Sequence, residues 1–297
     1  MKIDTKVFLI SIIIFFPIFK LFGDFLYSSF LNQLIIFALP IIWPGLAHGS
    51  LDVLTAKRIK LIFSKFSYIY FIIIYLTIPV VFFIFWIKTP KVFFILFLFL
   101  SLFHFGYSDR ISNSRYLNFL EVLIRGSIII IFPLKFHFEE TKNLFSYFFI
   151  DENFSLHLLY YFDILIYPII FLFLIFNFFF FKHREYKFIC FEFLMLMFCF
   201  FYFKPLTSFL IYFCFLHSIR HLNDEMNLMK IDFKQLIFRT IPMTLIPLIL
   251  IISFVTIFYF TEFLKYNDSV KYLVIALSSL TISHIILINF LKNDHSS

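Results

Sequence analysis

Apolar residues run along this chain in long blocks, separated by short breaks that carry Lys, Arg, Pro or Asn. A helix that crosses the hydrocarbon layer needs roughly 20 apolar residues in succession, whereas a half-buried strand or a surface helix interrupts them with polar positions at period 2 or 3.6. The blocks predict helices over approximately 6–22, 31–50, 67–87, 91–108, 117–134, 158–181, 187–203, 205–222, 237–260 and 270–291. Several of these are short. The expected fold is therefore an all-α, polytopic transmembrane helix bundle of about 8–10 spans. No repeat, linker or soluble domain interrupts the series, so residues 1–297 read as a single integral membrane domain. The polar connection 135–157 is the candidate for a small extramembrane element.

Composition supports this reading. The chain is 62% hydrophobic and 14% charged, with mean hydropathy +0.97, which is more apolar surface than a water-soluble globule can hide. Its 53 Phe accompany abundant Ile, Lys, Asn and Tyr, a bias toward AT-rich codons, so a Phe stripe here is wall-filling. A net charge of +7 suggests nucleic acid in a soluble domain, but in a membrane protein it reflects Lys and Arg in cytoplasmic loops, and no nucleic-acid motif is present. Cys190, Cys199 and Cys214 lie inside apolar segments without CxxC spacing and read as small buried hydrophobes. Residues 1–22 resemble a signal peptide but lack a small-x-small cleavage site, so they read as a retained first helix. With the N-terminus inside, cytoplasmic segments such as Lys57–Lys65 and Arg220–Arg239 hold about twice the Lys and Arg of the outer ones, which sets the expected orientation.

The histidines then fall at one depth. His48 (PGLAHGSLD), His104 (LFHFGYSD), His217 and His221 (HSIRH) and His284 (TISHIIL) all lie toward the cytoplasmic ends of outward-to-inward spans. Arg125 and Glu192 open inward-to-outward spans and join the same layer. Ionisable groups are expensive in a bilayer and mark function by default. His217 and His221 are one helical turn apart and can reach a single ion. His48 and His104 add imidazoles from two more helices, and such a donor set suits iron, copper or zinc rather than magnesium or calcium. Asp52, four residues after His48, is placed to orient an imidazole through its second N–H, and Asp109 offers a further carboxylate. Arg220 reads either as a positive-inside anchor or as a cation that stabilises reduced oxygen; Arg125 and Glu192 read either as site residues or as a structural ion pair. Gly45, Gly49, Gly106 and Gly126 sit beside these positions and permit close approach of helices or substrate. His137, His157, His183 and His295 read as surface residues.

The ordered set HGSLD, HFGYSD, RG followed by FPLKFH and E, PLTSFLIYF before HSIRH, and SHIIL resembles the Brp/Blh family of bacterial membrane β-carotene 15,15′-dioxygenases. The resemblance covers approximately residues 40–290 and leaves the N-terminal span, residues 1–30, outside. It implies oxidative central cleavage of β-carotene with O2 to two retinal molecules, and an Fe(2+) centre held by His48, His104, His217 and His221. In relatives the last motif typically reads Pro-His; Ser283 precedes His284 here, which leaves the part played by His284 open. It further implies residence in a bacterial inner membrane, with a carotenoid as substrate and a retinal-binding rhodopsin as a candidate acceptor. The competing readings are another metal-dependent membrane oxygenase, a haem protein with histidines from two helices, and a non-enzymatic retinal-protein biogenesis factor. HSIRH matches an HxxxH box of the di-iron desaturases, but the paired HxxHH boxes those enzymes need are missing from the sequence.

Overall fold

The computed structural model describes residues 2–112, 115–261 and 266–291; His295 and the loop cations Lys265 and Lys292 lie outside them. The described residues form helices and no strand. These are α1 (Ile3–Leu26), α2 (Phe30–Ile36), α3 (Ala38–Pro40), α4 (Ala47–Gly49), α5 (Asp52–Arg58), α6 (Lys65–Lys88), α7 (Pro90–Asp109), α8 (Arg115–Phe136), α9 (Phe138–Ser146), α10 (Glu152–Phe180), α11 (Tyr186–Tyr202), α12 (Pro205–Tyr212), α13 (Ser218–Met229), α14 (Phe233–Thr261) and α15 (Tyr266–Ile286). Among the described residues two wider π turns adjoin histidines, Phe213–His217 and Leu287–Leu291 after His284, while the stretch Ile41–Leu46 before His48 is a kink with extended backbone at Trp43.

The all-α, multi-pass membrane architecture expected from the apolar blocks is present. Among the described residues five helical segments are long and apolar enough to cross a bilayer: Ile3–Leu26, Lys65–Lys88, Pro90–Asp109, Glu152–Phe180 and Asp268–Asn289. The bent pair Phe30–Ile36 and Ala38–Arg58 makes a sixth if it counts as one span. Other blocks of the sequence reading are helical without meeting that measure by themselves. The Tyr186–Tyr202 helix is only 17 residues long, and α8 carries Arg115, Glu121, Arg125 and Lys135. Large apolar side chains such as Phe66, Leu39 and Phe178 remain exposed, as a lipid-facing surface requires.

The chain divides into two compact units that interleave in sequence. The first comprises Met1–Gly45, Ser101–Leu144 and Ser155–Asn223. Its core is aromatic: Phe8, Ile12, Phe15 and Phe19 line one face of α1 and pack with Phe193, Leu196 and Phe200 of α11 and with Leu210, Ile211 and Tyr212 of α12. Pro205 opens α12, where its missing N–H costs nothing. Between α7 and α8 the backbones come very close. A Cβ on Gly106 would sit 2.4 Å from the Val122 carbonyl oxygen, and one on Gly126 would sit 2.2 Å from that of Leu102.

The second unit comprises Leu46–Leu100, Phe145–Phe154 and Asp224–Ser297. Here α6 packs along α15. Ser64 and Ser67 form a capping box that starts α6 cleanly after the loop. Trp86 is fully buried against Phe94, Phe97 and Phe148, and its indole N–H donates to the Phe148 carbonyl at 3.3 Å. Ala56, Ile59, Ile62 and Leu287 form a smaller apolar cluster.

Candidate metal centre

In the first unit a buried carboxylate at the end of α7 organises the chemistry. Asp109 is fully buried, with its Oδ1 3.1 Å from His217 Nδ1. The Tyr212 hydroxyl donates to Asp109 Oδ2 at 2.5 Å. A carboxylate facing Nδ1 selects the tautomer that carries the proton there, so Nε2 becomes the lone-pair nitrogen. The ring of His104, five residues before Asp109 on the same helix, stands edge-on to His217 with centroids 5.2 Å apart. His221 follows His217 by one turn and is also buried, at 6% exposure. The π turn Phe213–His217 lies where α1 packs; widened turns of this kind recur at functional sites because they re-aim a side chain within a continuous helix.

A network of charge lies behind His217. Arg220 donates through Nε to Asp4 and from its two terminal nitrogens to the Asp109 carbonyl oxygen (2.6 Å) and to Glu192 (2.8 and 2.9 Å). Arg125 donates to Glu192 and to Glu121, each at 2.8 Å, and its guanidinium lies over the Phe193 ring. Glu121 also accepts the backbone N–H groups of Ile111 and Ser112 at 2.8 and 2.9 Å, which ties down the chain just after Asp109. Thr5 donates to Glu192 at 3.3 Å. By formal charge this set holds four carboxylates, Asp4, Asp109, Glu121 and Glu192, against two guanidiniums, an excess of two negative charges beside neutral imidazoles.

The second unit repeats the motif with different helices. His284 Nδ1 on α15 lies 2.8 and 2.9 Å from the two oxygens of Asp52. The Tyr75 hydroxyl of α6 donates to Asp52 Oδ2 at 2.5 Å. The ring of His48 stands edge-on to that of His284, with centroids 4.9 Å apart. The Ser283 hydroxyl donates to the Tyr75 carbonyl at 2.7 Å, joining α15 to α6 beside this group.

Each residue singled out from the sequence is thus buried in one unit or the other: His104, Asp109, His217, Arg220, His221, Arg125 and Glu192 in the first, His48, Asp52 and His284 in the second. Asp52 engages His284, its carboxylate reaching across to a neighbouring helix. The donors of Arg220 face Asp4, Glu192 and a carbonyl, so the guanidinium locks Asp109 in place rather than facing oxygen. Arg125 and Glu192 form the ion pair considered from the sequence, extended to Arg220. Reading the sequence missed Tyr75, Tyr212, Asp4 and Glu121. Tyrosine gives no linear signal among 16 of its kind, but Glu121, one turn before Arg125 inside an apolar block, was visible as a pair of opposite charges at i,i+4. The glycines also divide: Gly106 and Gly126 serve helix contact, whereas a Cβ at Gly49 would meet no atom within 4 Å.

The family model for Beta-carotene 15,15'-dioxygenase matches residues 39–292. A Beta-carotene 15,15'-dioxygenase from the uncultured marine bacterium 66A03 is 28% identical over 277 residues, covering 86% of this chain and 93% of that protein. No solved structure matches the chain. Both histidine groups, with their aspartates and tyrosines, fall within the matched span, and the chain belongs to the β-carotene 15,15′-dioxygenase family.

Proposed function

We propose that the protein cleaves β-carotene at its central 15,15′ double bond with dioxygen, one oxygen atom entering each of two retinal molecules, and that it uses Fe(II) bound by histidine imidazoles. Cleavage of a carotenoid by a multi-pass membrane enzyme follows from family membership and the apolar helices. The iron reading is carried by one observation: the buried Tyr212–Asp109–His217 group with His104 beside it. A carboxylate that holds Nδ1 and leaves Nε2 as donor is the usual arrangement behind a metal-bound imidazole. The negative excess of the surrounding ionic network favours a dication at that place, and an all-nitrogen donor face suits iron, copper or zinc. Of the ligand set implied by the resemblance, His104, His217 and His221 belong to the first unit and His48 to the second.

When bound, Fe(II) would supply activation of dioxygen, which no side chain provides. The protein's own residues do the remaining work. Asp109, held by Tyr212 and by Arg220 at its carbonyl, fixes the ring of His217. Glu192 and Glu121 pin Arg125 and Arg220 so that these charges do not wander toward the polyene. The aromatic walls solvate an apolar C40 substrate and keep bulk water out. We assign the enzyme to a bacterial inner membrane with a cytoplasmic N-terminus, on the Lys and Arg asymmetry, and a retinal-binding rhodopsin is the product acceptor we propose.

The test is expression in a β-carotene-accumulating bacterium, with pigments and retinal measured by chromatography. Wild type is expected to bleach the cells and form about two retinals per carotene lost, as the stoichiometry of central cleavage requires. His217→Ala and His221→Ala, at equal protein level, are expected to leave carotene intact. Unchanged carotene with folded, iron-loaded wild-type protein overturns the proposal in favour of another carotenoid substrate or a non-enzymatic role in retinal-protein assembly.

A further inference from the structure

Helix α1 ends beside a concavity of about 470 Å³ that lies wholly within the first unit, with Lys20, Gly23, Asp24, Tyr27 and Ser28 along one side and Lys204 on another. Since α1 is long and apolar enough to cross a bilayer, its last two turns stand where a span leaves hydrocarbon and meets lipid headgroups. Lys20 lies six residues before the end of the helix, about 9 Å along its axis, a depth from which a lysine stem reaches the headgroup level. Leu21, Phe22 and Phe25 in the same turns are exposed, which gives acyl chains an apolar surface beside the rim.

The charges in this concavity are not the groups that close the helix. The Ser28 hydroxyl and the Asn32 amide both donate to the Phe25 carbonyl, at 2.7 and 2.9 Å, and the Tyr27 N–H donates to that of Gly23 at 2.8 Å. Of the other lysines in this unit, Lys135, Lys142 and Lys204 are each paired, with Asp163, Glu139 and Glu140. Lys20 and Asp24 are one turn apart on α1, a spacing at which opposite charges ordinarily meet. Neither joins an ion pair among the described residues, and both open on the concavity instead. A carboxylate in the last turn also faces the negative end of the helix dipole, and no basic residue of that turn offsets it, so Asp24 is unfavourable there without a cation from outside the helix. Lys204 is held in place by Glu140 at 2.8 Å, by the Tyr27 ring under its ammonium and by its backbone N–H on the Tyr27 hydroxyl. An ammonium has three N–H groups, so Lys204 keeps donors for a further acceptor.

We propose that this concavity binds the headgroup of phosphatidylethanolamine, with the phosphate on Lys20 and Lys204, the primary ammonium on Asp24, and the acyl chains along Leu21, Phe22 and Phe25. A purely anionic headgroup would meet Asp24 as a like charge, and a choline headgroup has no N–H to donate to it. Gly23 keeps the space open, since a Cβ there would touch only the Tyr27 ring, at 3.7 and 3.8 Å. Residues 20–28 precede the span matched by the family, which begins at residue 39, and the site is independent of the metal reading.

The test uses full-length protein purified in detergent and stripped of lipid by exchange. It is titrated with dioleoyl phosphatidylethanolamine, phosphatidylglycerol or phosphatidylcholine while native mass spectrometry counts the bound lipids. Phosphatidylethanolamine is expected to bind at least about 5-fold more tightly than either other lipid, as suits one additional charge-assisted pair at a half-exposed site. Lys20→Gln and Asp24→Asn, both at exposed positions, are each expected to erase that preference, and Gly23→Leu to erase it by filling the space. Circular dichroism checks that each variant is folded. Equal binding of the three lipids, or a preference unchanged in the folded Lys20 and Asp24 variants, overturns the proposal. So does a preference for phosphatidylglycerol, which would identify a site for anions alone. Free phosphoethanolamine distinguishes the source of the headgroup: at equal concentration it is expected to leave the bound lipid in place, and displacement would make a soluble phosphate ester the occupant and overturn the lipid assignment.

Discussion

Asp109 shows how much a single buried side chain can decide. It touches His217 through one oxygen and Tyr212 through the other, and its own carbonyl receives Arg220. Asp109→Asn keeps the shape but presents an amide that can donate toward Nδ1, which favours the wrong imidazole tautomer. The expected consequence is iron affinity lower by roughly 10- to 100-fold with the fold retained, read from bound iron per chain and circular dichroism. Glu192 carries a different burden, since both arginines of the network depend on it. Glu192→Gln removes the carboxylate that both buried guanidiniums share and is expected to cost about 3–5 kcal/mol, seen as a lowered unfolding midpoint in detergent. Residue identity at these places was partly legible in the linear chain, because a histidine, arginine or carboxylate inside an apolar block stands out. Which carboxylate serves which imidazole was not legible: i,i+4 spacing puts Asp52 and His48 on one face, but side chains of that length reach a neighbouring helix equally well.

At the level of elements, the approach of α7 and α8 carries His104 and Arg125 to their places. Gly126→Val and Gly106→Val would each drive a side chain into a carbonyl of the opposing helix, at 2.2 and 2.4 Å from the first added carbon. Backbone cannot give way as a flexible side chain does, so each substitution is expected to destabilise by at least about 1–3 kcal/mol and to reduce iron retention with it. Gly49→Ala, where the added carbon meets nothing within 4 Å, is the contrasting case and is expected to unfold at the wild-type temperature. Close approach was foreseeable from glycines beside the functional positions, but which glycines serve packing depends on what lies opposite, and that is absent from a linear pattern. Helix α1 makes the same point. It lies outside the family match, which begins at residue 39, yet Asp4 and Thr5 enter the ionic network. Asp4→Asn is expected to lower stability by about 3 kcal/mol through the Arg220 charge it leaves partly uncompensated.

For the whole molecule, most of the surface belongs to lipid, and ordinary aqueous electrostatics are confined to the connections. Glu140 in α9 is an example. Burial raises its pKa, but the hydrogen bond and charge of Lys204, 2.8 Å away, outweigh that and hold it below the ordinary 4.5. A depressed folded-state pKa means that the pair contributes above the unfolded value and loses its contribution as pH falls through the folded one. The unfolding midpoints of wild type and Glu140→Gln are therefore expected to differ slightly at neutral pH, by less than about 1 kcal/mol for so exposed a pair, and to converge below pH 4.5. By itself the sequence determined the helical membrane class, the five histidines and their family, because apolar run length and rare intramembrane polar residues are properties of the chain in one dimension. Only the tertiary structure decided that Arg220 faces Asp4 and Glu192 and that Asp52 serves His284. The same holds for the two tyrosine–aspartate–histidine groups, since a buried carboxylate takes the donors that packing brings within hydrogen-bond reach, and packing joins segments as far apart as Asp52 and His284.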